Sequence, residues 1–341
     1  LLGEALAELE QGFGAVVTAT GMAAVTLVLQ LLEPQDLVFA PHDCYGGTYR
    51  LLSQLKLRQI VNAEFHNQLE EAFIEKILSR RPKLVWIETP SNPLLRITDI
   101  AAIAEAAHRV GSIVVVDNTF LSPALQQPLN LGADIVIHST TKYINGHSDV
   151  VGGAVIAKSQ ELFERLKYWA NCLGLTASPF DAYLTLRGLR TLKARLNLHL
   201  ANTKAIVRVL GAHAAVQKVH YPGLKDHPGH AIAVKQQSGF GAMISFELQD
   251  TEEVKVFLAK LRYFSLAESL GGVESLIAHP ASMTHASMDP QARLTAGISD
   301  GLLRLSVGIE DADDLSEAVQ DALDAVLEFR HSARETANVH A

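Results

Sequence analysis

The stretch Asp134-Ile135-Val136-Ile137-His138-Ser139-Thr140-Thr141-Lys142-Tyr143-Ile144-Asn145-Gly146-His147-Ser148-Asp149 decides how this chain reads. It opens as a short apolar run of strand length and breaks into hydroxyls, a lysine and a glycine. Two other runs end the same way. Leu84–Ile87 leads into Glu88-Thr89-Pro90-Ser91-Asn92-Pro93, and Val114–Val116 leads into Asp117-Asn118-Thr119. Short continuous apolar strands suit a parallel sheet covered on both faces. In such sheets ligands bind beyond the carboxyl ends of the strands, so three polar clusters at three strand ends point to one composite site.

Outward from that stretch, residues 1–190 alternate strand-like and helix-like segments. Ala15–Thr18 and Leu37–Ala40 read as strands, and Gly21–Leu32 as a helix. Asp99–Val110 reads as an alanine-rich helix ended by Gly111. Leu1, Leu2, Ala5, Leu6 and Leu9 share one helical face, so the chain opens inside a helix and an upstream segment is expected. Asp181 to about Leu210 reads as one long helix. A second α/β region follows, with strands at Phe240–Leu248 and Leu302–Val307 and a helix over Asp314–Phe329. The tail His331–Ala341 reads as polar and loose. The expected division is a larger domain over 1–200 and a smaller C-terminal α/β domain over 201–341.

Composition narrows the function. Among 341 residues, 48% are apolar and 19% charged, ordinary for a globular chain. The net charge of −8 and the absence of a basic block argue against nucleic-acid binding. No apolar run approaches the roughly 20 residues that span a bilayer. Two cysteines, Cys44 and Cys172, do not make a disulfide scaffold, and a reducing compartment, the cytoplasm, is expected.

The chemistry-bearing residues follow. Lys142 stands just past a buried strand, where desolvation makes an amine nucleophilic, as Schiff-base chemistry requires. A lone lysine in a polar loop is more often a surface residue, so its weight comes from company. Ser139 and Thr141 are placed to hold an anion such as phosphate. Asp117 closes the apolar run Ile113–Val116 and needs a partner. A pyridinium nitrogen is one; a helix N-cap or a metal are others. Gly21 and Met22 sit where a strand gives way to a helix, a place where backbone N–H groups bind phosphate. Tyr45 lies in the loop Asp43–Arg50 and can stack on a flat heterocycle or pack as an ordinary turn tyrosine. Arg304 lies inside an apolar strand and must be paired, with a substrate carboxylate or a structural carboxylate serving equally well. The glycines Gly12, Gly14 and Gly21 fail as a dinucleotide fingerprint because Val17 breaks the spacing. His42, Asp43 and Cys44 are adjacent and lack a second ligand cluster, so no metal is expected.

Taken together, Ser139–Asp149, Val115–Thr119, Ser91–Leu95, Asp43–Arg50 and Ala267–Leu276 resemble the Cys/Met-metabolism family of pyridoxal-phosphate enzymes, over about residues 1 to 330. Ala40–Arg50, Val115–Leu125 and Tyr168–Leu192 look like the branch that joins cysteine to an O-acylhomoserine. The resemblance implies a fold-type I transferase, with a seven-stranded, mostly parallel cofactor domain and a smaller C-terminal domain, assembled as a homotetramer of two tight dimers. It implies pyridoxal 5'-phosphate bound as a Schiff base to Lys142, with Asp117 on the ring nitrogen and Tyr45 stacked on the ring as a catalytic residue. Gly21, Met22, Ser139 and Thr141 would hold the phosphate. Arg304, Asn92 and Ser269 would bind the substrate α-carboxylate, and Arg50, Asn171 and Glu268 would lie toward the distal end. The implied reaction is γ-replacement, in which cysteine displaces the acyl group to give cystathionine in methionine biosynthesis. The same constellation serves enzymes that cleave cystathionine or add sulfide. The family's N-terminal Tyr-Ser-Arg-x-x-Asn-Pro-Thr segment, which reaches into a neighbouring subunit, is not among these residues.

Overall fold

The computed structural model describes residues 1–283, 293 and 296–339. Contacts divide it into two compact units, 1–92 with 96–193 and 228–240, and 93–95 with 194–227 and 241 onward. The cut expected after residue 200 falls inside a helix whose first residues pack with the first unit.

The first unit contains α1 (Leu2–Glu10), β1 (Gly14–Thr18), α2 (Gly21–Leu29), β2 (Leu37–Pro41), α3 (Gly46–Leu57), β3 (Asn62–His66), α4 (Ala72–Arg80), β4 (Leu84–Glu88) and α5 (Ile100–His108). It continues with β5 (Ile113–Asp117), α6 (Ser122–Leu125), β6 (Ile135–His138), β7 (Gly153–Ala157), α7 (Gln160–Leu173) and α8 (Pro179–Leu189). The seven strands form one sheet in the order β1-β7-β6-β5-β4-β2-β3. Strands β3, β2, β4, β5 and β6 run parallel, while β7 is antiparallel to β1 and β6.

Alternation along the strands shows why their sequences are apolar throughout. Val85, Ile87, Val114, Val116 and Val136 enter a core on one face. Leu84, Trp86, Val115, Ile135 and Ile137 enter a separate core on the other. Helices cover both faces, so no strand position is left for a polar side chain until the strand ends. Local chemistry sets the helix starts. The Thr20 hydroxyl accepts from the Ala23 N–H at 2.9 Å, and Asp99 accepts from the Ala102 N–H at 3.0 Å.

The second unit follows from α9 (Leu192–Ala212) and β8 (Lys218–His220); α10 (His230–Gln236) returns to the first unit. Then come β9 (Met243–Glu247), α11 (Thr251–Lys260), β10 (Phe264–Leu266), β11 (Ser275–Ala278), β12 (Leu302–Ser306) and α12 (Ala312–Val339). Its five strands are ordered β10-β11-β12-β9-β8. The His199 ring on α9 meets the Val307 carbonyl at 2.6 Å, fastening that helix to the sheet. Cys44 and Cys172 are both free. Among the described residues no helix is long and apolar enough to cross a membrane, and no group of three or more His, Cys, Asp or Glu is placed to hold a metal ion.

Several sequence expectations are corrected. The single helix from Asp181 to about Leu210 is two helices, α8 and α9. Gly188 lets α8 press onto the loop below it, since a Cβ there would lie 2.1 Å from the Asn145 carbonyl oxygen. The helix expected to stop at Phe329 runs on to Val339. In α1 the buried side chains are Leu2, Leu6, Ala7 and Glu10, while Leu1 and Leu9 are exposed. Strands β3 and β7 were not among the expected elements.

Gly188→Ala should lower unfolding free energy by about 1–3 kcal/mol, because the added methyl has no space. Gly211→Ala, in α9 with nothing within 4 Å of its Cβ, should instead raise it by up to ~1 kcal/mol. Urea titration of the two variants checks the contrast.

Candidate active site

The carboxyl ends of β2, β4, β5 and β6 project onto one edge of the first unit, where the chain leaves each strand as a polar loop. Hydrogen bonds and close approaches link these loops into a ring. The Tyr45 N–H donates to Glu88 Oε2 at 2.7 Å. Glu88 stands in register beside Asp117 on the next strand. Asp117 Oδ1 accepts from the Thr119 N–H at 3.0 Å, and Thr119 Oγ1 accepts from the Ser139 N–H, also at 3.0 Å. Ser139 lies against Gly21, where a Cβ would sit 2.9 Å from the serine Cβ and 3.0 Å from its hydroxyl oxygen. Beside it, a Cβ on Gly47 would lie 2.6 Å from both the Met22 sulfur and the Tyr45 ring, which closes the circuit.

The two glycines are there because nothing larger fits. Gly21 brings the N-terminus of α2 against the Ser139 side chain, so a helix start and a hydroxyl lie side by side. That arrangement suits an anion. The Thr141 hydroxyl stands close by in sequence and is bonded to the backbone of Gly152, accepting from its N–H at 3.0 Å and donating to its carbonyl at 3.2 Å. Lys142 is half-buried in the turn after β6. Its N–H donates to the Ser139 carbonyl at 3.2 Å and its carbonyl accepts from the Gly146 N–H at 2.8 Å. The buried Tyr143 and Ile144 that follow anchor the turn, so the lysine backbone is fixed.

The loop carrying Tyr45 is fixed from below. Buried Asp43 accepts through Oδ2 from the Ser91 hydroxyl and from Arg96 Nη1, each at 2.9 Å. The Tyr45 side chain is half exposed at 50%, leaving a ring face accessible.

Electrostatics at the ring are adverse without a ligand. Burial pushes the Glu88 carboxyl well above its ordinary range, and the neighbouring Asp117 charge adds to this, against the pull of the Tyr45 N–H. Burial also raises Asp117, opposed by hydrogen bonds from Thr119 and by the charge of His138. A cationic ring nitrogen against Asp117 would relieve the pair. The Cys44 thiol is pushed up by burial and then by Glu88, so it stays protonated and unreactive.

Of the sequence-expected residues, Lys142, Asp117, Tyr45, Gly21, Met22, Ser139 and Thr141 gather at this edge. Asn92 is buried beyond the end of β4. Arg50 on α3 and Asn171 on α7 are exposed. In the second unit Arg304 is buried on β12, and its Nη2 donates to the carbonyls of Glu268 at 2.9 Å and Ser269 at 3.2 Å. Those three residues therefore form one cluster there. Glu88 and Thr119 were not among the expected site residues. Glu88 closes the run Leu84–Ile87 as Asp117 closes Ile113–Val116, and that parallel was the available signal.

The chain matches the model of the Cys/Met metabolism PLP-dependent enzymes over residues 1–324. It belongs to that family. A cystathionine γ-synthase of Escherichia coli is 56% identical over 313 residues, 91% of this chain and 81% of that protein. A cystathionine γ-lyase of Bacillus subtilis is 47% identical, over 94% of this chain and 84% of that one. The crystal structure of cystathionine γ-synthase from Xanthomonas oryzae in complex with cystathionine superposes with a TM-score of 0.94 at 60% identity, over 96% of this chain and 85% of that one. The fold is accordingly that of the pyridoxal-phosphate-dependent cystathionine enzymes, and this member of the family uses pyridoxal phosphate.

The raised carboxyl of Glu88 has a consequence for stability. A group whose folded-state pKa lies above its unfolded value favours folding below the unfolded pKa, and this is lost as pH rises through the folded-state value. Glu88→Gln keeps an acceptor for the Tyr45 N–H and removes the charge. The melting temperature of the cofactor-free variant, relative to wild type, should therefore climb as pH is raised from about 4 toward 8.

Proposed function

We propose that this protein is a cystathionine γ-synthase, replacing the acyl group of an O-acylhomoserine with the sulfur of cysteine. The observation that carries this reading is the step in similarity. Identity is 56% and 60% to two synthases and 47% to the γ-lyase, over nearly the same span of chain. The ring of loops fits the cofactor in two independent places, the cramped anion cradle at Gly21 and Ser139 and the buried acid at Asp117.

Bound pyridoxal phosphate supplies an electron sink for the charge left when a proton leaves the substrate carbon next to the amine. Lys142 would hold the cofactor through its side-chain amine. Released from it, that amine would shuttle protons at Cα and Cβ of the substrate and return them once cysteine sulfur has replaced the acyloxy group at Cγ, the thiol proton leaving with the departing carboxylic acid. Asp117 would keep the ring nitrogen protonated. Tyr45 would pack on the ring face, and Gly21, Met22, Ser139 and Thr141 would hold the phosphate. The substrate α-carboxylate is assigned to Arg304, Asn92 and Ser269, and the distal end to Arg50, Asn171 and Glu268. Exposed aromatics at Tyr168, Phe180 and Tyr183 support the homotetramer expected of the family.

A second reading, cystathionine cleavage, draws support from the γ-lyase relative. A product assay separates them. Given O-succinylhomoserine and cysteine, the protein should accumulate cystathionine, and given cystathionine alone it should release little 2-oxobutyrate. Faster consumption of cystathionine than its formation would overturn the synthase reading. Lys142→Ala should lose at least about 100-fold in turnover together with the visible absorbance of the bound cofactor.

A further inference from the structure

Glu10 closes α1 and is fully buried, a rare position for a carboxylate unless it is paired. Its Oε1 accepts from His138 Nε2 at 2.6 Å and from Asn118 Nδ2 at 2.9 Å. Asn118 also donates to the Gln126 carbonyl at 2.8 Å and accepts from Gln126 Nε2 at 3.1 Å. Gln126 Nε2 in turn donates to the Thr89 carbonyl at 3.0 Å. His138, Asn118 and Gln126 are all buried. One carboxylate on the first helix thus ties together the residues that follow Glu88, follow Asp117 and precede Ser139.

A core that needed only packing would not be built this way. Replacing a buried ion pair with apolar groups is often neutral or stabilising. Here the pair also leaves Glu10 Oε2 and His138 Nδ1 buried without hydrogen-bond partners. The charge has a use one residue away. Asp117 faces Glu88 across adjacent strands, Asp43 adds a third carboxylate to the same group, and His138, which follows the register partner of Asp117 on β6, draws the Asp117 carboxyl back down.

We propose that Glu10 and His138 are positioning residues for the cofactor, their ion pair fixing the ends of β5 and β6 and balancing the Asp117 carboxylate so that it stays ionised against the ring nitrogen. This rests on the assignment of Asp117 to that nitrogen.

Glu10→Gln tests it, because glutamine keeps an oxygen to accept both hydrogen bonds and loses only the charge. The full chain is stripped of cofactor and titrated with pyridoxal phosphate, with visible absorbance as the readout. The dissociation constant should rise at least about tenfold. The visible absorption maximum should shift, and kcat should fall with KM little changed. Wild-type affinity and an unshifted spectrum would overturn the proposal. Should Glu10→Gln not fold, the double variant Glu10→Gln/His138→Asn, which removes both ionisable members of the pair, carries the same test; failure of both to fold assigns the pair to the fold alone and also overturns it. Asp117→Asn is the control. If it too leaves affinity and spectrum unchanged, the Asp117 assignment has failed; if it alters them and the Glu10 variant does not, only the role of Glu10 and His138 has failed.

Discussion

Two carboxylates, Glu88 and Asp117, stand in register at the buried ends of neighbouring strands, and much of the first unit answers to that juxtaposition. Like charges in a low-dielectric setting repel, and burial alone already opposes ionisation. The structure distributes the burden unevenly. Glu88 receives the Tyr45 N–H and orders the loop that carries the aromatic ring. Asp117 receives Thr119, which in turn receives the N–H of Ser139. The same hydrogen bonds that temper two acids therefore assemble the ring of loops at this edge.

That arrangement needs a sheet whose interior tolerates no polar group. Strands β4, β5 and β6 alternate their side chains between two separate cores, so polar residues are confined to the strand ends. Parallel order then puts those ends on a single edge. Where the loops must touch, side-chain volume is removed. Gly21 admits the Ser139 side chain, and Gly47 admits the Met22 sulfur and the Tyr45 ring. Substitution at these positions is limited by neighbouring atoms more than by backbone conformation, and the limit comes from Ser139 and Met22, distant in sequence, together with the nearby Tyr45.

Local patterning made much of this legible. The apolar runs at Leu84–Ile87, Ile113–Val116 and Ile135–Ile137 identify buried strands because both faces of the sheet are covered, and their polar sequels identify the site because chemistry can sit only where a strand ends. Asp99 and Gly111 delimit a helix through their own near-neighbour geometry. The other elements depended on partners the sequence does not place. β3, Asn62–His66, is too polar to read as a strand and is held by pairing with β2. The close packing of α8 on the loop at Asn145 depends on Gly188, where a Cβ would meet that carbonyl.

Glu10 marks the boundary most clearly. By periodicity it is the polar end of an amphipathic helix whose last apolar contact is Leu9, yet Leu9 is exposed and Glu10 is buried. Its partner His138 lies 128 residues along the chain. By itself the sequence determined the strand interiors, the helix caps and the lysine loop, because those depend on hydrophobic period and hydrogen bonds within a few residues. Only the tertiary structure decided which buried charges meet, because electrostatic partners are set by strand order and helix packing, and these bring Glu10, Asn118 and His138 into contact across most of the first unit.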